Sequence, residues 1–299
     1  MPRTLVTGAA GFTGRYVVEE LAALGHEVHA IVHHASDGPI DGVREVYEAD
    51  LTNLDAVSGA VAAVRPDHVI HLAAIAFVAH GDIDQMYRTN VVGTRQLLEA
   101  LAQADARPAS VVVASSANIY GNAREGQLDE DLPAAPANDY GVSKVASEYV
   151  ASLYASRLPI AITRPFNYTG RGQSDSFLIP KIVSHVRRGA DVIELGNIDV
   201  ARDFSDVRTV ADAYARLLTT PAAIGETFNI CSGRPVTLKE VIDLATQISG
   251  HRMDVRVNPA FVRANEVRTL SGSAAKLERT IGPLKDISLE DTLRWMIEG

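Results

Sequence analysis

Cysteine is almost missing from this sequence: Cys231 is the single example in 299 residues. That excludes an internal disulfide framework and suits a reducing compartment, so the expected location is the cytoplasm. Long apolar runs are missing as well. The most hydrophobic stretch, Val69 to Ala79, carries His71 and is too short to cross a bilayer, and Met1-Pro-Arg3 leads into a strand pattern without a signal-peptide core. A membrane is therefore not an expected partner. Basic residues are in deficit, 28 Lys and Arg against 37 Asp and Glu, for a net charge of -9. This disfavours a broad phosphate-binding surface and removes nucleic acid from the expected partners, while a local basic pocket stays possible. No cluster with metal-ligand spacing is visible, and the chain has no internal repeat or low-complexity tract.

What is present is apolar content of 46%, enough for a sizeable core in about two domains or one large α/β unit with a lobe. Strand and helix signals alternate through the first half. They fall at Val28 to His33, Val43 to Tyr47, Leu54 to Val64, Val69 to Leu72, Met86 to Ala106, Val111 to Ser115, Tyr140 to Arg157 and Ile160 to Thr163. Such alternation predicts a doubly wound parallel sheet. After Arg164-Pro165 the pattern turns irregular, and helical periodicity returns at Thr209 to Leu218 and Leu238 to Ile248. The expected fold is an α/β, Rossmann-type doubly wound sheet with a smaller C-terminal substrate lobe. Its expected division is a dinucleotide-binding domain over 1–165, rejoined by about 203–232, and a lobe from 166–202 and 233–299.

Two motifs carry chemistry. Thr4 to Thr7 reads as a buried strand and Phe12 to Leu24 as a helix ended by Gly25, so Gly8, Gly11 and Gly14 sit between strand and helix. In that setting Gly8 permits a tight turn, Gly11 lets backbone amides approach a pyrophosphate, and Gly14 allows close helix packing. Downstream, Tyr140 and Lys144 lie four residues apart, on one face of a helix. An ammonium beside a phenol favours the phenolate and brings a tyrosine toward acid–base work. Ser116 follows the strand Val111 to Ser115, where an open parallel sheet binds ligands, and can hydrogen-bond a carbonyl that Tyr140 protonates.

With the glycine loop, His71-Leu-Ala-Ala74, Asn90, Ser115-Ser116-Ala-Asn-Ile-Tyr-Gly121 and Tyr140-x-x-x-Lys144 in order, the chain resembles the extended short-chain dehydrogenase/reductases, the nucleotide-sugar epimerase/dehydratase family. The resemblance covers essentially the whole chain. It implies Ser116, Tyr140 and Lys144 as a catalytic triad. It also implies a cofactor site at Gly8, Gly11, Phe12, Thr13, Gly14, His33, Asp50, Leu51, Leu72, Ala73, Ala74 and Asn90, joined by Tyr140 and Lys144. A carboxylate at the end of the second strand would grip the 2′-hydroxyl of NAD, and Val32-His33-His34 stands there instead. NADP(H) is accordingly favoured over NAD(H).

The second half holds arginine-bearing segments around Asn167, Arg202 and Arg263, with Glu266 close behind. Arginine forks suit a diphosphate and a carboxylate suits a ribose diol, although spacing alone does not separate these residues from ordinary surface charges. Here the chain is similar to the GDP-4-dehydro-6-deoxy-D-mannose reductases and GDP-mannose 4,6-dehydratases, which implies Ser116, Asn118, Asn167, Lys181, Arg202, Arg263 and Glu266 as nucleotide-sugar contacts. Dehydratases of that group place a glutamate base where Asn118 stands, and an amide cannot be that base. Epimerising relatives use a cysteine near Asn118 and a histidine near Gly172, and this chain has neither there. The resemblance thus implies reduction of a GDP-linked 4-keto-6-deoxyhexose, toward GDP-D-rhamnose or its C-4 epimer. A 4-epimerase with tightly held NAD, and a non-catalytic cofactor-sensing module, are the alternatives. It also implies a homodimer joined through the helices Asp82 to Ala106 and Tyr140 to Arg157.

Overall fold

The computed structural model describes residues 1–34, 39–76, 81–122, 126–261 and 267–299. Buried β-branched runs become strands and the segments between them become helices. In chain order the first half forms β1 (Arg3–Thr7), α1 (Phe12–Ala23), β2 (Glu27–Val32), β3 (Val43–Glu48), α2 (Leu54–Val64), β4 (His68–His71), α3 (Ile83–Tyr87), α4 (Thr94–Gln103), β5 (Ser110–Ala114), β6 (Gly126–Leu128) and α5 (Asp139–Ser152). The second half forms β7 (Ile160–Pro165), β8 (Asn167–Thr169), α6 (Leu178–Arg187), β9 (Val192–Leu195), β10 (Ala201–Asp206), α7 (Val207–Leu218), β11 (Thr227–Ile230), β12 (Pro235–Thr237), α8 (Leu238–Ser249), β13 (Asp254–Val257), β14 (Thr269–Gly272), α9 (Ala275–Ile281) and α10 (Leu289–Glu298).

Seven strands form one parallel sheet in the order β11-β7-β5-β4-β1-β2-β3. The fold is the expected α/β, Rossmann-like one. Val17, Val18 and Leu21 of α1 with Val210, Tyr214 and Leu217 of α7 cover one face. Val57 and Val61 of α2, Leu97 and Leu101 of α4, and Ala151 of α5 cover the other. The chain winds outward in both directions from β1 and β4, so a crevice opens at their carboxyl ends.

The single helix expected over Met86 to Ala106 is divided. Arg88–Gly93 between α3 and α4 is a π turn, which widens the ladder by a residue and leaves a main-chain carbonyl for other partners. The region that reads as irregular after Arg164-Pro165 forms a small β13-β9 sheet and most of a second sheet, β12-β10-β14-β6, with β8 paired to β10 and β6 supplied by the first half of the chain. Ile179 and Ile182 of α6, Val241 of α8, and Leu293 and Met296 of α10 form its separate core. Among the described residues, no helix is long and apolar enough to cross a membrane.

Asp203 of β10 joins the two sheets. It is fully buried, and its carboxylate accepts from Ser232 N, Ser232 Oγ, Gly233 N and Gly272 N at 2.6 to 3.1 Å. Charge-assisted bonds to four donors offset its desolvation. Asp203→Ala would strand those donors in the interior and is expected to cost about 3–5 kcal/mol, read as a lower midpoint in urea unfolding; a midpoint within error of the parent would contradict the bridging role.

Candidate active site

The glycine loop follows β1. Gly8 has φ of 74°, and a Cβ on Gly14 would stand 2.1 Å from the Gly8 carbonyl oxygen. A side chain at Gly14 would push α1 off the strand end, and a Cβ on Gly8 would stand 2.8 Å from Ala73 N after β4. Gly11 caps α1 without a side-chain bond, and the first turn holds no acidic residue. The leading amides of α1, at Phe12 and Thr13, are thereby left for an anion, and the loop fits the pyrophosphate of a dinucleotide. The other expected cofactor residues follow the neighbouring strands β2, β3 and β4. Leu72 N and Ala73 N bond to Thr7 O and Thr7 Oγ1 at 3.1 and 3.3 Å, and Ala74 follows half-buried. Asp50 is exposed, and its Oδ1 accepts from Thr52 N and Oγ1, which holds its carboxyl below the usual range. Leu51 is buried beside Gly93, while His33 is exposed after β2 with its ring against that of His34.

A buried hydrogen-bond chain runs from this loop to α5. Thr94 Oγ1 donates at 2.6 Å to Asn90 O, a carbonyl within the π turn. Having used its one proton, Thr94 must accept from His71 Nε2, 2.9 Å away. The imidazole is therefore the Nε2–H tautomer, and its Nδ1 accepts from Thr7 Oγ1 at 2.7 Å. Burial and the charge of Lys144 push the His71 pKa down to about 3, so the ring is neutral. Asn90 continues the chain: Nδ2 donates to Ser143 Oγ at 3.0 Å, and its carbonyl accepts from Ser147 Oγ at 2.7 Å. Ser143 and Ser147 flank Lys144 on α5. Asn90 also closes on Ile75, accepting from its N at 2.8 Å and donating to its O at 3.1 Å.

Asn138 starts α5 by accepting from Gly141 N at 2.8 Å. A Cβ on Gly141 would lie 2.7 Å from Asn118 O, so glycine beside Tyr140 lets α5 approach the short helical turn Ala117–Tyr120. At its other end Arg164 of β7 grips Glu148 of α5 through Nε and Nη2 at 2.9 and 2.7 Å. These contacts bring Tyr140, Ser116 and Lys144, all buried, to the carboxyl side of β5. Ser116 Oγ accepts from Asn118 N and Nδ2 at 3.2 and 3.1 Å. Burial, reinforced by Tyr168, pushes the Tyr140 phenol up from its usual range, and the Ser116 hydroxyl opposes this by hydrogen bonding. The lowering expected from Lys144 does not set the direction in the free chain. Burial also lowers Lys144, to about 8, against an opposing pull from Glu148.

The expected substrate contacts are more scattered. Asn167 is exposed on β8 and donates to Asp203 O at 3.2 Å. Arg202 of β10 donates through Nη1 to the carbonyls of Ala201 and Val267 at 2.8 and 3.1 Å. Lys181 of α6 donates to Glu194 O at 2.8 Å and lies 4.7 Å from the Phe261 ring centre. Arg263 and Glu266 lie outside the described residues. One contact has no sequence signature: Tyr168 stacks on Phe12 at 6.0 Å, and its hydroxyl shares a 2.7 Å hydrogen bond with Thr13 Oγ1. It ties the glycine loop to the strand that carries Asn167. Among the described residues no three His, Cys, Asp or Glu side chains group as a metal site.

Known proteins share the sequence pattern and the fold. Residues 4–231 match the model of the NAD dependent epimerase/dehydratase family. GDP-6-deoxy-D-mannose reductase of Pseudomonas aeruginosa is 34% identical over 303 residues, covering 98% of this chain and 95% of its own. GDP-6-deoxy-D-talose 4-dehydrogenase of Aggregatibacter actinomycetemcomitans is 32% identical over 280 residues, covering 94% and 91%. Among solved structures, a candidate epimerase from Burkholderia cenocepacia J2315 superposes with a TM-score of 0.94 at 51% identity over 99% of this chain and 97% of its own. RMD from Pseudomonas aeruginosa complexed with NADPH gives 0.85 at 30% identity over 100% and 98%. MoeE5 in complex with UDP-glucose and NAD gives 0.88 at 29% over 99% and 97%.

The depressed Lys144 pKa has a stability consequence. Between about 8 and the ordinary 10.5 the unfolded chain binds the proton that the folded chain has released, so this residue's contribution to stability rises with pH across that window. Below it, holding the ammonium buried costs on the order of 3 kcal/mol. Lys144→Met is expected to raise the melting temperature at pH 7, with the gain shrinking toward pH 10, while turnover is lost. A gain that grows with pH would contradict the sign.

Proposed function

The chain belongs to the NAD dependent epimerase/dehydratase family, and from that premise we propose that it reduces the 4-keto group of a GDP-linked 4-keto-6-deoxyhexose with NAD(P)H. GDP-4-dehydro-6-deoxy-D-mannose is the substrate, and GDP-D-rhamnose or its C-4 epimer is the product. The observation that carries this reading is the acid–base pair beside β5: the Ser116 hydroxyl bonds the Tyr140 phenol, Lys144 follows one turn on along α5, and the neighbouring position holds the amide of Asn118. Ketone reduction needs a proton donor at the carbonyl oxygen. Loss of water from a hexose also needs a base for a C–H proton, and an amide is not one. The GDP linkage is supported by the two relatives whose names carry it.

When bound, the nicotinamide supplies hydride to C-4. Tyr140, its pKa raised by burial, keeps its proton at neutral pH and gives it to the developing alkoxide. Ser116 donates a hydrogen bond to the same oxygen. Lys144 places a positive charge on the helix face of the phenolate left behind. Asn167, Lys181, Arg202, Arg263 and Glu266 hold the nucleotide sugar in a lobe formed by 166–202 and 233–299. NADP(H) is preferred to NAD(H), supported by the exposed His33 that stands after β2 where a carboxylate would repel a 2′-phosphate. The reaction is placed in the cytoplasm, the compartment that one buried cysteine suits.

A second reading, a nucleotide-sugar 4-epimerase that keeps NAD bound, draws support from the 51% identical candidate epimerase. A homodimer is proposed for either. Val142, Tyr149 and Leu153 repeat on one face of α5, and the last two are 72% and 73% exposed, an apolar stripe that a second copy of α5 would cover.

Adding GDP-4-keto-6-deoxymannose to enzyme and NADPH is expected to lower absorbance at 340 nm, with a dTDP-linked ketosugar and NADH giving slower loss. Tyr140→Phe should cut turnover by roughly a thousandfold with NADPH affinity intact. Turnover at the parent rate would remove Tyr140 as the acid. For assembly, light scattering should give twice the 32.0 kDa chain mass, and Leu153→Glu should give the monomer. A monomeric parent chain would refute the dimer.

A further inference from the structure

Ser116 stands at the end of β5, and its Oγ accepts two hydrogen bonds from one residue, the Asn118 backbone N–H at 3.2 Å and Asn118 Nδ2 at 3.1 Å. A hydroxyl has one proton and two lone pairs. With both lone pairs filled, Ser116 keeps only its proton to offer. Its side chain is buried, and the hydroxyl it faces is that of Tyr140.

We infer that Asn118 is a positioning residue that makes Ser116 an obligate donor, so that Ser116 and Tyr140 present two O–H groups to the one carbonyl oxygen that is reduced. A ketone oxygen accepts both bonds and has no proton to place. Once Tyr140 has given up its proton, its phenolate accepts the O–H of the new alcohol, while Ser116 still donates to the same oxygen. The arrangement also protects the reacting proton. Were Ser116 free to accept, Tyr140 would spend its proton on Ser116 and not on the substrate. Gly141 helps fix the pairing, because α5 packs against the Asn118 carbonyl and holds this turn in place. Asn118 thereby holds ready the donor that the developing alkoxide needs as hydride reaches carbon and the Tyr140 proton reaches oxygen.

The inference rests on the reading of Ser116 and Tyr140 as the reacting centre, and the test separates the two. Turnover of GDP-4-keto-6-deoxymannose with NADPH is measured from pH 5 to pH 8 for the parent, Asn118→Asp, Asn118→Ala, Ser116→Ala, Tyr140→Phe, and Ser116→Ala combined with each Asn118 change. At pH 8 the carboxylate of Asn118→Asp has no proton to donate and draws the Ser116 proton to itself. kcat should fall about a hundredfold with NADPH affinity unchanged. As pH falls the new carboxyl takes up a proton, regains a donor, and kcat should recover along a limb that the parent lacks. Asn118→Ala keeps the backbone bond and should lose less, without that limb. In the Ser116→Ala background neither change should cost anything further, and this arm decides the matter if Asn118→Asp does not fold. Asn118→Asp within threefold of the parent at pH 8 with the parent's profile, or additive losses in the double variants, would overturn the inference. An inactive Tyr140→Phe beside that result leaves the reductase reading intact. A fully active Tyr140→Phe removes the reading itself.

Discussion

A π turn gives up an intrahelical bond, and a buried carbonyl that loses its partner must be satisfied elsewhere. In this protein the main-chain carbonyl of Asn90, inside the π turn, takes two side-chain donors, and these organise the site. Thr94 and Ser147 donate to it, and Thr94 can do so because the neutral imidazole of His71 donates to Thr94 in turn. His71 is fixed by Thr7 on the neighbouring strand, in register across β1 and β4. One ordered chain of protons therefore connects the strand that ends in the glycine loop with the helix that carries Tyr140 and Lys144. A protonated imidazole could not sit in it without reversing Thr7, and its low pKa follows from the same burial.

The architecture around that chain puts each chemical group at a strand end. Gly8 follows β1, Leu72 to Ala74 follow β4, and Ser116 follows β5, three adjacent strands of a sheet whose winding reverses between β1 and β4. Burial then does two things with one cause. It raises the Tyr140 phenol, which stays protonated, and lowers the Lys144 ammonium, which stays close to neutral pH. Both shifts keep the phenol protonated until substrate arrives, and a charge that forms there meets few waters to screen it.

The glycine loop, Ser116 and the Tyr140/Lys144 pair were legible from sequence because their chemistry depends on residue type at fixed short spacing. The large sheet was legible because its buried strands are continuous apolar runs. Other features leave no such trace. The π turn at Arg88–Gly93 keeps a helix-like pattern, since one extra residue hardly alters which side chains face inward. Strands β6, β8 and β12 have three residues each, too few to show alternation. Gly141 reads as an ordinary helix residue until Asn118 O is seen where its side chain would be. Tyr168 meets Thr13 across 155 positions of sequence. Arg202 and Lys181 are expected as nucleotide-sugar contacts by resemblance alone, and both bond to main-chain carbonyls that only the folded chain supplies.

The central claim, net reduction of a sugar ketone, is tested most directly by following the hydride. The enzyme is given GDP-4-keto-6-deoxymannose with NADPH deuterated at C-4 of the nicotinamide, each face in turn, and the sugar product is read by mass spectrometry and NMR. The account predicts one deuteron at C-4 of the sugar for each NADPH consumed, from one face alone. A sugar interconverted without deuterium and without cofactor consumption, with NAD remaining on the protein, would contradict it.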